Sequence, residues 1–321
     1  MSSVRIGEFK VGSSGSPPFV VAEIGINHNG SVEIAKRLIE EAHRAGCIAV
    51  KFQKRTVNVV YTADELARQR QVPPQTNIMQ NAVARGVLSD EAVHRLTRSN
   101  FEDTVNGDLK YALEFSQGEY EEISRYCKEL GILWFASPWD EGSVDFLERF
   151  NPPCYKVASA CITDRGLLQC LRETKRPIIL STGMSLHSEV AWAVEMVGRE
   201  NLILLHTVST YPTKDEGELN VRVMATLRGW FPGVPVGYSG HETDLLPSIV
   251  AAATGAVMIE RHFTLNRSMW GSDQQASITF AEMRELVESV SRIPAILGSG
   301  EKVVSPAELE VQRKLRRKYI Y

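Results

Sequence analysis

Eight short apolar runs recur along the chain, at residues 19–25, 48–53, 132–136, 154–158, 177–180, 202–205, 234–236 and 256–259. Each is too short for a globular helix and is bounded by turn residues or charge, so each predicts a buried strand. Between the runs the apolar period changes to that of a helix. Ser31 followed by Ile34, Ala35, Leu38, Ile39 and Ala42 gives an N-capped amphipathic helix that Gly46 stops. Further helices are expected at residues 119–130, 142–150, 164–172, 187–197, 220–230, 244–253 and 280–297. Strands alternating with helices imply a parallel sheet, and eight repeats imply a closed (β/α)8 TIM barrel over residues 19–300. No Gly-x-Gly-x-x-Gly turn follows the first strand, which weighs against a dinucleotide-binding fold.

Three stretches break the rhythm. Residues 1–18 hold a short extended piece (5–11) and then Gly, Pro and Ser, and are read as a lead-in loop covering the bottom of the barrel. Residues 54–115, charged and Gln-rich with Pro73-Pro74, carry only short helical pieces such as 90–98. An excursion of that length after the second strand is either a functional lid or an oligomer contact. The basic tail, residues 301–321, lies outside the barrel as a solvated helix or linker.

The apolar runs end in chemistry. The last strand is followed by Glu260, Arg261 and His262, the seventh by Gly237-Tyr238-Ser239-Gly240-His241-Glu242, and the second carries Lys51 and Gln53 on one face. Glu23 interrupts an otherwise apolar strand, where a carboxylate needs a partner or a task. In a parallel barrel the carboxyl-terminal strand ends share one pocket. The rim then collects Glu23, Lys51, Gln53, Ser137, Lys156, Ser159, Ser181, His206, Ser239, His241, His262 and Asp273. His241 and His262 are either hydrogen-bonded rim residues or a pair that shares a divalent metal with open positions. Lys51 and Lys156, with hydroxyls and the peptide N–H groups of Ser181-Thr182-Gly183, form a candidate cradle for a phosphate or carboxylate. His206 is either a third metal neighbour or a wall residue.

Composition narrows the partners. With 43% hydrophobic and 23% charged residues and a net charge of -3, the chain is an ordinary globular protein without an electrostatic footprint for nucleic acid. No apolar run approaches the roughly 20 residues of a membrane span and no signal-peptide core follows Met1, so the expected location is cytoplasmic. Cys47, Cys127, Cys154, Cys161 and Cys170 lack Cys-x-x-Cys spacing and are expected to be mostly small buried hydrophobes.

Six motifs, taken in order, resemble the sialic acid (N-acetylneuraminate) synthase family: Ala22-Glu23-Ile24-Gly25-Ile26-Asn27-His28-Asn29-Gly30, Val50-Lys51-Phe52-Gln53, Tyr155-Lys156-Val157-Ala158-Ser159, Leu180-Ser181-Thr182-Gly183-Met184, Gly237-Tyr238-Ser239-Gly240-His241-Glu242 and Glu260-Arg261-His262-Phe263-Thr264. The resemblance implies a (β/α)8 enzyme that condenses phosphoenolpyruvate with an aldose such as N-acetylmannosamine, giving a 3-deoxy-2-ulosonic acid and phosphate. It implies Mn2+ or Mg2+ on His241 and His262, and phosphoenolpyruvate on Lys51, Ser137, Lys156, Ser159 and Ser181. Gln53, Tyr211 and Asp273 would face the sugar, Ser209 and Ser239 would complete the substrate contacts, and Glu23 would handle a proton. A homodimer is the expected assembly.

Three departures from the family pattern predict an altered sugar end and an acceptor other than N-acetylmannosamine. Cys161 stands where an acidic residue is usual, and Gln274 stands where a histidine is usual. The chain also ends at Tyr321, before the antifreeze-like domain that family members often carry and that lends an arginine to the partner's sugar site. Two alternatives stay open: a metal-dependent pyruvate aldolase and a non-catalytic homologue that binds sugar phosphates.

Overall fold

A computed structural model describes residues 3–317. Strands β1 (Val4–Ile6) and β2 (Phe9–Val11) form an antiparallel hairpin. The closed barrel then runs through β3 (Phe19–Gly25), β4 (Ala49–Lys54), β5 (Leu133–Pro138), β6 (Tyr155–Val157), β7 (Ile178–Ser181), β8 (Leu202–Thr207), β9 (Val236–Gly240) and β10 (Met258–His262). All its pairings are parallel, and β10 closes on β3 with His262 opposite Glu23. The expected (β/α)8 architecture is the one observed.

The strands have two faces and each packs a different core. Val20, Ala22, Ile24, Val50 and Phe52 point outward to the helices, against residues such as Leu38, Ile39 and Ile123. Helix Val32–Arg44 starts where Ser31 accepts a bond from the Ile34 N–H (3.3 Å), a cap contributing about 1 kcal/mol, and it buries Ala35, Leu38, Ile39 and Ala42. Phe19, Val21, Ala49, Phe135, Cys154, Ile179, Ile203, Leu205 and Met258 point inward and fill the barrel floor. Val4, Ile6 and Val11 of the hairpin join this inner cluster. The lead-in is therefore a folded plug rather than a loop, its alternating apolar residues all turned into the barrel.

Several strands run further than their apolar stretches. Strands expected to end at residues 180, 205, 236 and 259 continue to Ser181, Thr207, Gly240 and His262. The ladder is made by backbone groups, which pair whatever the side chain carries. Apolar sequence marks only the length that faces a dry core. The helix expected from residue 220 begins at Val223, because Asn220 adopts a left-handed φ of 38° and breaks from the turn Glu216–Leu219.

The excursion is helical and has its own core. Helices Ile78–Ala84, Asp90–Arg98 and Asn106–Leu113 gather around Ile78, Met79, Leu96 and Leu109, and the short helices Val57–Val60 and Ala63–Ala67 pack on Asn106–Leu113. Arg85 fastens it to the barrel helix Gln117–Leu130 through Glu119 (2.6 Å) and braces the excursion's own end through the carbonyls of Ala112 (2.7 Å) and Glu114 (2.6 Å). In the tail, helix Pro306–Leu315 buries no residue, and residues 318–321 lie outside the described residues. Among the described residues no helix is long and apolar enough to cross a membrane. Cys47, Cys127, Cys154 and Cys161 are buried, as expected of small hydrophobes, and Cys170 is half-buried.

Candidate active site

Moving up each strand, the inward positions change from apolar to polar at one level. Val21 gives way to Glu23, Ala49 to Lys51 and Gln53, Phe135 to Ser137, Cys154 to Lys156, Ile179 to Ser181, Gly237 to Ser239 and His241, and Met258 to Glu260 and His262. Because side chains alternate, the same register that packs the floor delivers these groups to a cavity of about 300 Å³ at the carboxyl-terminal end. Every residue expected at the site from the family resemblance lines it: Glu23, Lys51, Gln53, Ser137, Lys156, Ser159, Ser181, Ser209, Tyr211, Ser239, His241, His262 and Asp273.

At its base is a buried ionic network. Lys51 Nζ lies 2.9 Å from Glu23 Oε2 and 3.5 Å from Glu260 Oε1, and donates to Ser137 Oγ at 3.2 Å. Lys156 Nζ donates to Ser181 Oγ at 2.6 Å and lies 3.8 Å from Glu260. Burial lowers the Lys156 amine to about 8, against the pull of Glu260. Burial also lifts the Glu23 carboxyl above its ordinary range; Lys51 opposes this, and Glu260 adds to it. Glu260 is held below the usual range by Lys156 and Lys51 despite its burial, and its Oε2 has no partner.

The two imidazoles face each other beside this network, ring centres 5.3 Å apart, under the ring of Tyr211. His241 Nδ1 lies 2.6 Å from the Val208 carbonyl, which fixes the N–H there and leaves Nε2 with its lone pair. Burial lowers His241 to about 3, so the ring is neutral. His262 Nδ1 is buried without a hydrogen-bond partner, 3.8 Å from Asp273. The free His241 Nε2 and the ring of His262, side by side in the lining of a polar cavity, fit a divalent cation. Among the described residues no group of three or more His, Cys, Asp or Glu is arranged as a complete ligand set, so the pair would leave several positions to substrate and water.

Some expectations are corrected. The peptide cradle at Ser181-Thr182-Gly183 is closed: the Thr182 N–H bonds the Leu205 carbonyl (3.0 Å) and the Gly183 N–H bonds Ser159 Oγ (3.1 Å). Gly183 is required for a different reason, since a Cβ there would collide with the hydroxyls of Ser209 and Ser159. His206 is a wall residue, its Nε2 2.7 Å from the Leu219 carbonyl. Arg261, in the strand end that delivers Glu260 and His262, turns away from the cavity and is fully buried against Glu242 (3.1 Å). There it braces the loop that carries His241.

The two substitutions at the sugar end carry less weight than the sequence suggests. Gln274 does not line the cavity; it is fully buried, its amide bonded to Thr264 Oγ1 and to the Asn27 carbonyl (3.3 Å). Cys161 is also buried, behind the wall, its thiol pushed up to about 12 and therefore neutral.

Four titratable lining residues have no role in the sequence reading: Glu260, Arg55, Tyr61 and Lys110. Parity held the signal for two of them, since Glu260 sits two positions before His262, and Arg55 two after Gln53. No periodicity could place Tyr61 and Lys110, which the excursion brings from outside the barrel.

The sequence signature of the NeuB family matches residues 75–302. The chain belongs to the NeuB family. Within it, human N-acetylneuraminate-9-phosphate synthase is 34% identical over 95% of this chain and 78% of its own length. The N,N'-diacetyllegionaminic acid synthase of Legionella pneumophila is 33% identical over 98% of this chain and 83% of its own. Among solved structures, the N-acetylneuraminic acid synthetase of Leptospira borgpetersenii, in complex with citrate, superposes with a TM-score of 0.77 at 29% identity, covering 99% of this chain and 98% of that one.

Proposed function

We propose that the chain is a sialic-acid-type synthase, condensing phosphoenolpyruvate with an open-chain aldose to give a 3-deoxy-2-ulosonic acid and phosphate. The observation that carries this reading is the pair of buried lysines, each seated on a serine, beside two facing imidazoles in one cavity. An aldolase working on free pyruvate has no phosphate for a second lysine to hold. The names of relatives that are synthases of N-acetylneuraminate 9-phosphate, diacetyllegionaminic acid and pseudaminic acid support the same reaction class.

In this reaction carbon 3 of phosphoenolpyruvate forms a bond to the aldehyde carbon, whose oxygen gains negative charge and then a proton. Water adds to the electron-poor carbon 2, and phosphate leaves with the carbon–oxygen bond electrons. Lys51 and Lys156 bind the phosphate and carboxylate and hold the enol carbon still. His241 and His262 would hold Mn2+ or Mg2+, which when bound stabilises charge on the aldehyde oxygen as a Lewis acid. Glu23, lifted by burial, is a better base than an exposed glutamate and takes the proton from the attacking water. Gln53 keeps that carboxyl in place with a bond of 2.9 Å to Oε1. Tyr211 and Asp273, at the upper rim, orient the sugar.

The test is a screen of aldoses with phosphoenolpyruvate, reading released phosphate before and after chelation and again after adding Mn2+. Aldose-dependent phosphate release that chelation removes is the expected result. Release of phosphate without an aldose, or none with any aldose, would sink the reading.

A further inference from the structure

Where β4 ends, the backbone is held more firmly than the start of a loop requires. The Gln53 carbonyl accepts from the Tyr120 hydroxyl (3.0 Å) and the Lys54 carbonyl from the Trp139 N–H (3.0 Å). The Arg55 N–H donates to Glu114 (3.1 Å), and the Thr56 N–H to Asp140 (2.7 Å). A backbone anchored at successive residues aims its side chains closely. Arg55 lines the same cavity as Gln53, two positions before it, yet its guanidinium is occupied within the protein. One terminal nitrogen donates to Glu114 (3.3 Å), the other donates to Gln53 Oε1, and the central carbon lies 4.6 Å from the centre of the Trp139 ring. Only Nε, also buried, has no partner.

Gln53 passes the contact on, its Nε2 donating to Glu23 Oε1 at 2.9 Å. Room for that bond is built into the backbone. It crosses Gly25, where a Cβ would come within 3.0 Å of Glu23 Oε1 and 3.1 Å of Gln53 Nε2, and where φ is 53° and the register of β3 against β4 shifts. The two ends of a glutamine amide differ in hydrogen bonding and little in shape, so Gln53 alone could turn either its oxygen or its NH2 group to Glu23. A guanidinium has no acceptor and can meet only the oxygen. Resting on the reading of Glu23 as the proton acceptor, we infer that Arg55 is a positioning residue, which fixes the direction of the Gln53 amide and through it the Glu23 carboxylate. The other carboxylate oxygen, Oε2, lies 2.9 Å from Lys51 Nζ, so the group is set from both sides. The start of the excursion then belongs to the chemistry, and Glu114, near its far end, holds it there.

The experiment is a double-variant cycle in the full chain with Mn2+, reading kcat and both KM values for Arg55→Met, Gln53→Met and the pair. Arg55→Met should lower kcat about tenfold and leave the KM for phosphoenolpyruvate within about twofold, because a misplaced group costs rate rather than binding. In the Gln53→Met background the same change should cost less than about twofold. An equal loss in both backgrounds would make Arg55 a structural or substrate-binding group and overturn the inference. If Arg55→Met does not fold, Arg55→Lys takes its place, since one ammonium cannot reproduce the fork that serves Glu114 and Gln53 together. If no aldose drives phosphate release, the synthase reading is in question and the positioning is decided without turnover. In two-dimensional proton–nitrogen NMR spectra the Gln53 side-chain NH2 pair, identified by its loss in Gln53→Met, should shift and exchange faster with solvent in Arg55→Met. Unchanged signals there overturn the inference, whatever the reaction proves to be.

Discussion

The cavity has an inner half made by barrel strands and an outer half made by the excursion, and the two are built on different principles. In the inner half each functional side chain sits two residues above a floor residue on the same strand, and its charge is matched by a neighbour: Lys51 by Glu23 and Glu260, Lys156 by Glu260. In the outer half the groups come from helices with a separate small core, and Glu114 serves both Lys54 and Arg55. The comparison teaches that the reaction centre is internally neutralised and rigid, while the outer wall depends on how the excursion folds.

Removing an imidazole is the severest way to test that division. His241→Ala or His262→Ala should lower metal-dependent kcat by about 100- to 1000-fold, the range seen when a group stabilising developing charge is lost. The far-ultraviolet circular dichroism should not change. Full activity in the chelated double variant would remove the pair from the chemistry. Next, Lys156→Met should weaken phosphoenolpyruvate binding by about 1.5 to 3 kcal/mol, the contribution of a hydrogen bond to a charged group. The acceptor KM should move much less; equal losses for both substrates would blur the two halves into one.

Acidity sharpens the same point. Lys156 is charged below about 8 in the free enzyme, so kcat/KM for phosphoenolpyruvate should fall as pH rises through that value. The sign for folding is opposite: between about 8 and its unfolded value Lys156 is neutral only when folded, so its own contribution to stability increases. A parallel loss of activity and of thermal stability in that window would contradict the assignment. A milder change is Arg85→Ala, which unfastens the excursion. It should raise the acceptor KM by a few-fold, about 1 kcal/mol, and leave the KM for phosphoenolpyruvate within about twofold. Smallest of all, Gln274→His should alter preference among aldoses by less than about twofold, because Gln274 packs beneath the wall; its cost should appear as lowered stability, about 1 to 3 kcal/mol.

The inner half was legible in the sequence for a physical reason. Strand parity is strict, so a run such as Val21-Ala22-Glu23 or Ala49-Val50-Lys51 states both where the floor is and which group stands above it. The same rule, extended past the apolar run, would have named Glu260 and Arg55. What parity does not encode is contact between segments far apart in the chain. Lys110 meets Tyr61 and Arg55 only through the fold of the excursion, and nothing local to Asn106–Leu113 says that its lysine faces a cavity. The reading of residue 274 failed for the complementary reason. Asp273 faces the cavity, but the chain turns into the helical turn Gln274–Ala276 directly after it, and the amide is carried inside.

The amino-terminal hairpin has a kinetic meaning. By seating Val4, Ile6 and Val11 among the floor residues it closes the barrel beneath the cavity. Whatever occupies the lysines must pass through the level of Tyr211 and Lys110 before the acceptor takes its place there, and cannot leave beneath it. On the proposed synthase reading, geometry would order the traffic: the enol phosphate would enter first and the aldose would close over it.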